Sequence, residues 1–156
     1  MTYHLKDQPV TIFLLVLLFV VPHAVFAEGF RYETAVVVTS QGDRIRVDLA
    51  DTPAKRQLGL GQRDSLAQGE GMLFVFEKKT PHGFWMKGMR FPIDILWLNN
   101  HRVVHIADNV APPKPGGTLE TITPAVSANF VLELPAGEAS ALGIRKGSYL
   151  KYRFNP

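Results

Sequence analysis

From Tyr32 onward, glycine, proline and asparagine cut the sequence into short apolar runs, with a break at intervals of roughly ten residues. That spacing leaves no room for the long helices of a bundle or of a βαβ unit. It predicts a mainly β chain: a single antiparallel β-sandwich or barrel domain with one or two short helices.

The runs support this individually. Tyr32 to Thr39 carries Ala35-Val36-Val37-Val38, a β-branched strand signal, and Ser40-Gln41-Gly42-Asp43 is a turn. Arg44 to Leu49 then alternates polar and apolar, which places Ile45, Val47 and Leu49 inward and predicts a hairpin. Thr52-Pro53 starts a helix, threonine as cap and proline in the first helical position, and Gly59 and Gly61 stop it after Leu58. Met72 to Phe76 is five apolar residues in a row, a strand buried on both faces. Ile93 to Leu98 and Arg102 to Ile106 are partner strands around an Asn99-Asn100 turn, since asparagine tolerates positive φ. Pro112 to Gly117 is a loop. Asn129 to Leu134 and Tyr149 to Phe154 are further strands, with one or two helical turns between Ala136 and Leu142.

Residues 1–27 read as an export signal. Lys6 precedes an apolar run from Val10 to Val21, interrupted only by Thr11. As a helix those twelve residues reach roughly 18 Å, short of the ~30 Å hydrocarbon core of a bilayer. Val25 and Ala27 suit the small-residue positions of a signal-peptidase site, so cleavage is expected after Ala27. The alternative is a retained anchor extending to Phe26 through Pro22 and His23. The expected division is a signal at 1–27 and one domain at 28–156, in the bacterial periplasm or outside the cell. Membrane contact is then expected only through the N-terminal segment.

The chain has no cysteine, which excludes thiol redox catalysis, cysteine-protease chemistry and thiolate zinc sites. Its net charge of +3 comes without a dense basic stripe, so no nucleic-acid partner is expected.

Several ordered motifs carry a family resemblance. Arg56-Gln57-Leu58-Gly59-Leu60 with Arg63, Gly71 to Phe76, Phe84-Trp85-Met86-Lys87 and Pro92-Ile93-Asp94-Ile95 are four of them. Val131 to Gly137, Gly143-Ile144 and Gly147 complete the set. From Thr34 to Tyr152 the chain resembles the domain of unknown function 192 family. The resemblance implies a small jelly-roll-type β domain, often exported, and no settled activity. Two departures stand out. Gly61 occupies a position that is usually Met, and Gly88-Met89 replaces a usual Asn-Thr pair.

Reactive constellations are scarce. His101 and His105 are four apart on a predicted strand, roughly 13 Å, too far to share one ion. His82 stands in a break, so no metal and no other cofactor is expected. Ser40, Ser65, Ser127, Ser140 and Ser148 lie at turns or segment ends without a Gly-x-Ser-x-Gly elbow. Gly59-Leu60-Gly61 lacks the remainder of a nucleotide-binding fingerprint.

Two features remain. Asp94 and Glu133 interrupt apolar strands. They are outward-facing, or ion-paired with Arg56, Arg63, Lys87 or Arg90, or an acid/base pair of the glycosidase kind. Phe84 to Phe91 mixes aromatic, basic and methionine side chains. Alternation puts Phe84, Met86 and Gly88 on one face and Trp85, Lys87 and Met89 on the other. Trp85 with Lys87 is a stacking and hydrogen-bonding surface suited to sugars or acidic ligands, or else a core tryptophan beneath a snorkelling lysine.

The expected function is a non-enzymatic binding or accessory module of the envelope. Its small-molecule or glycan ligand would lie near Trp85, Lys87 and Asp94, with Arg56, Arg63 and Glu133 at the rim; an envelope protein is a further expected partner. The alternative is a carbohydrate-active hydrolase using Asp94 and Glu133.

Overall fold

The computed structural model describes residues 31–154, so the expected signal and its cleavage point lie outside the described residues. The hairpin forms as the alternation predicts. β1 (Thr34–Val38) and β2 (Arg44–Ala50) pair antiparallel, with Val37 opposite Ile45 and Ala35 opposite Val47. Thr39 pins the turn: its hydroxyl accepts from the amides of Gln41 and Asp43 and donates to the Asp43 carboxylate. After the hairpin comes α1 (Pro53–Leu58), capped by Thr52, whose hydroxyl accepts from the Lys55 amide.

The chain then returns as β3 (Glu70–Thr80), parallel to β2. A parallel neighbour requires a crossover, and α1 with the loop after it supplies one. The main sheet is therefore mixed. β4 (Phe84–Trp85) leaves it, and β5 (Ile93–Asn99) and β6 (Arg102–Val110) form the second hairpin. That turn sits at Asn100-His101, one residue beyond the expected Asn99-Asn100. Asn99 stays in the ladder opposite Arg102, and Asn100 takes the positive φ, 53°. β7 (Thr121–Ile122) pairs with β4 in a two-stranded sheet. β8 (Ala128–Pro135) inserts between β3 and β5, α2 (Glu138–Ala141) follows, and β9 (Lys151–Phe154) closes against β1. The strand order is β6-β5-β8-β3-β2-β1-β9.

The seven-stranded sheet curls until its edges meet. Just before β9, the Ser148 carbonyl accepts from the Val103 amide and the Leu150 amide donates to the His101 carbonyl. Backbone groups that would otherwise be open on two edge strands are thereby paired. The curl gives the sheet two apolar faces. The inner one packs Val37, Ile45, Val47, Leu73, Leu96, Leu98, Leu132 and Leu134. The outer one packs Met72, Phe74, Ile95, Trp97 and Val131 beneath Leu60, Phe84 and Met86 from the covering segments. Both faces are covered along the first half of β3 and along β5 and β8, which is why these stretches read as continuous apolar runs.

Candidate functional site

On the outer face the covering segments leave a recess over the centre of the sheet. It is a pocket of about 260 Å³. Arg56, Gln57 and Leu58 of α1, with Gly59 to Gly61 behind them, form one wall. Phe74 and Phe76 of β3 form the back, and His82 to Trp85 with Lys87 and Met89 form the other wall. Glu133 of β8 completes the lining.

Each wall is held by identifiable contacts. Arg56 Nη1 donates to the carbonyls of Asp51 and Val75, both at 2.8 Å, and its guanidinium lies 5.2 Å from the centre of the Phe76 ring. This ties α1 to β3, and the arginine's charge stays at the pocket. The opposite face of the recess depends on Trp97. That residue is fully buried, and its indole N–H donates to the His82 carbonyl at 2.8 Å. The bond fixes the segment that carries His82, whose ring stacks on Phe76 with centroids 3.7 Å apart. Phe84 stands edge-on to both Phe74 and Trp97. Trp85 and Lys87 are exposed at the mouth while Phe84 and Met86 are buried, the alternation expected for this segment.

Glu133 is the unusual member. It is 5% exposed, and its Oε2 has no hydrogen-bond partner among the described residues. Its neighbours in the ladder, Met72 on β3 and Ile95 on β5, are apolar. Burial therefore pushes its titration up to about 8, against the opposing field of Arg63. Near neutral pH it is an uncharged acid able to donate as well as accept a hydrogen bond.

Of the six residues expected at the site, Arg56, Trp85, Lys87 and Glu133 come together around this pocket. Arg63 does not line it; its guanidinium pairs with Asp48 and faces the Tyr32 ring. Asp94 is on the other side of the sheet. Ile95, not Asp94, is opposite Glu133, and adjacent strand residues point to opposite faces. Asp94 is completely buried, and its two oxygens accept from the amides of Asn109 (2.8 Å) and Ala139 (3.0 Å). It is neither a rim group nor the partner of Glu133, because the strand that carries it has no outward face. An acid/base pair needs both carboxyls in one cleft; the register forbids it.

His82, Phe76 and Gln57 were not expected at the site. The stacked His82–Phe76 pair joins residues on either side of the Pro81 break, where sequence periodicity gives no guide. His101 and His105 occupy separate settings. The first is among Tyr149 and Tyr152, and the second stands edge-on to Trp97. Among the described residues no serine, threonine or tyrosine lines the pocket, so this lining offers recognition groups and a proton, and no hydroxyl nucleophile.

The comparisons with known proteins agree with this architecture. The crystal structure of a protein from Sinorhizobium meliloti 1021, described as a candidate transcription regulator, superposes with a TM-score of 0.70 at 30% identity. The match covers 80% of this chain and 97% of that one. A protein of unknown function from Novosphingobium aromaticivorans DSM 12444 gives a TM-score of 0.69, also at 30% identity, over 80% of this chain and 88% of its own. No curated protein matches. Residues 36–152 match the DUF192 family, described as Uncharacterized ACR, and the chain belongs to that family.

Proposed function

We propose that this chain is an exported, non-enzymatic binding or accessory module of the bacterial envelope that holds a small ligand in the pocket beside Trp85. One observation carries the reading. A buried carboxyl with an unpartnered oxygen lines an aromatic-walled recess, together with recognition groups and no hydroxyl nucleophile. A buried polar atom left unpaired costs about 1–3 kcal/mol, and a ligand that pairs it recovers part of that cost. The volume is just below the ~300–1,000 Å³ usual for ligand pockets, so the ligand is small or only one group of it enters. The half-exposed indole of Trp85 is the platform, for a sugar ring among other flat bodies. Export rests on the apolar run Val10 to Val21 and the Val25-Phe26-Ala27 end.

The test is a thermal-shift screen of the full chain against oligosaccharides, peptidoglycan fragments and small organic acids, repeated with the Trp85→Ala, Lys87→Ala double variant. A ligand at about 100 times its Kd stabilises the folded state by about 2.7 kcal/mol. A shift lost in the double variant supports the pocket. No shift from any compound, or shifts that the double variant retains, overturns it. Export is tested by N-terminal sequencing of the envelope fraction, with Glu28 as the expected first residue.

A further inference from the structure

The charges around the pocket are not balanced. Arg56 and Lys87 line it, and the acidic residue among the lining is Glu133. An ionised carboxylate buried without a partner among apolar neighbours is costly, so the group stays protonated and adds no negative charge. Arg56 gives Nη1 to two backbone carbonyls and has no carboxylate ion pair among the described residues; the nearby Asp51 carboxylate, which feels its field, is tied to Lys55. The recess therefore combines a net positive rim, aromatic walls and a buried proton donor.

We propose that the pocket takes a ring-bearing organic acid, with its ring against Trp85 and its carboxylate held by Lys87 and by a hydrogen bond from Glu133. The proposal rests on reading the recess as a small-ligand site and names the ligand class. An organic ammonium meets two cations and no ionised carboxylate in the lining. An uncharged ring gains the aromatic contacts and no Coulomb attraction. A carboxylate gains both, and Glu133 as an acid donates to it where an ionised Glu133 repels it.

This gives the site a pH dependence of definite sign. The groups facing Glu133 are few. Arg63, tied to Asp48 of β2, favours its ionised form. Met72 and Ile95 beside it carry no charge, and Arg56, His82 and Lys87 share the pocket. Below about pH 8 Glu133 is protonated while the ligand is ionised, and binding is strong. Above it, binding a second carboxylate requires proton uptake, and affinity falls by about ten-fold per pH unit.

The test uses one ring in three charge states, phenylacetate, 2-phenylethanol and phenethylamine, with glucuronate and glucose as a sugar pair. Each is titrated into the full chain by tryptophan fluorescence and calorimetry. At about pH 6 phenylacetate is expected to bind about ten-fold more tightly than 2-phenylethanol, with phenethylamine weakest. Lys87→Glu is expected to remove the preference for the acid. Glu133→Gln, which keeps a donor and an acceptor, is expected to bind phenylacetate at about pH 6 and to flatten the pH profile. Glucuronate binding more tightly than phenylacetate supports the acid class with a sugar body. If the alcohol or the amine binds as well as the acid in a Trp85-dependent manner, the acid class is overturned and the pocket reading stands. If none of the five binds, the acid class is overturned too, and the pocket reading falls only if the wider screen is also empty. A wild-type pH profile that stays flat through about pH 8 overturns the role of Glu133.

Discussion

Gly61 and Gly88 meet backbone to backbone at the rim of the pocket. A Cβ on Gly88 would stand 2.9 Å from the Gly61 carbonyl oxygen, and a Cβ on Gly61 would stand 2.7 Å from the carbonyl oxygen of Lys87. These are two of the positions singled out in the sequence, Gly61 and Gly88 of the Gly88-Met89 pair. The two glycines are thus one feature in space: the loop after α1 and the segment after β4 approach more closely than side chains allow. Lys87 and Met89, on either side of Gly88, line the pocket, so this approach sets where its rim lies.

Gly61→Ala is expected to destabilise the fold by about 1–3 kcal/mol, because the obstructing atom is backbone and both segments must separate. Gly88→Ala adds the strain of an L residue at φ +72°, roughly 1–2 kcal/mol. The double variant is expected to cost less than the sum, since one separation relieves both contacts. Urea unfolding of the two single variants and the double variant checks this; strict additivity would show that the two positions do not share a contact.

Asp94 is a structural clamp on the inner side of the sheet. Its carboxylate joins β6 at Asn109 to the start of α2 at Ala139. Asp94→Ala leaves two amides unpaired and is expected to cost on the order of 3–5 kcal/mol. Asp94→Asn retains one acceptor and is expected to cost less. Neither should change affinity for a ligand in the outer pocket by more than about two-fold while the protein stays folded. Unfolding curves paired with a binding titration separate the two effects; lost binding in folded Asp94→Asn would return this residue to the site.

The strands that alternate, such as Arg44 to Leu49, and the capped helix at Thr52-Pro53 were legible in the sequence, because local pattern alone determines them. The parallel pairing of β2 with β3 was not, because its crossover contains a helix of six residues, too short to signal a βαβ unit. The two faces of Phe84 to Met89 were legible, but not which of them was covered. That depends on β7, two residues long and far along the chain. The same limit applies to the carboxyls. Alternation says that Asp94 and Glu133 each take one face of a strand. Only the register between β5 and β8 says that the faces differ, and only the covering segments decide that Glu133 meets a recess and Asp94 meets backbone amides.

The two tryptophans make opposite predictions. Trp97 is fully buried among Phe84 and His105 with its N–H satisfied, so Trp97→Phe is expected to cost about 2–4 kcal/mol. Trp85 is 47% exposed, so Trp85→Ala is expected to cost less than about 1 kcal/mol. In wild type, iodide should quench only part of the emission. In Trp85→Phe the remaining emission should be blue-shifted and protected. A large loss of stability in Trp85→Ala would make Trp85 a core residue and remove it from the pocket.

Glu133 also makes the stability of the fold pH-dependent. Its acid form is stable to about pH 8 in the folded chain, whereas in the unfolded chain it ionises near the ordinary glutamate value. Between those two values the unfolded state binds fewer protons, so this group lowers stability progressively as pH rises from about 4.5 to about 8 and no further above that. By linkage the loss is on the order of 5 kcal/mol. Glu138 acts with the same sign. Burial raises its pKa, the hydrogen bond from the Gly69 amide opposes the shift, and the nearby Asp94 carboxylate adds to it. Glu133→Gln cannot ionise, so it is expected to be more stable than wild type at about pH 9 and to gain nothing at about pH 4. The residual slope in that variant reports Glu138 and the remaining groups. Urea unfolding across this range measures the difference directly. Parallel wild-type and Glu133→Gln profiles would mean that water or a basic group reaches the Glu133 carboxyl, and the site would then present a carboxylate where an acid is proposed.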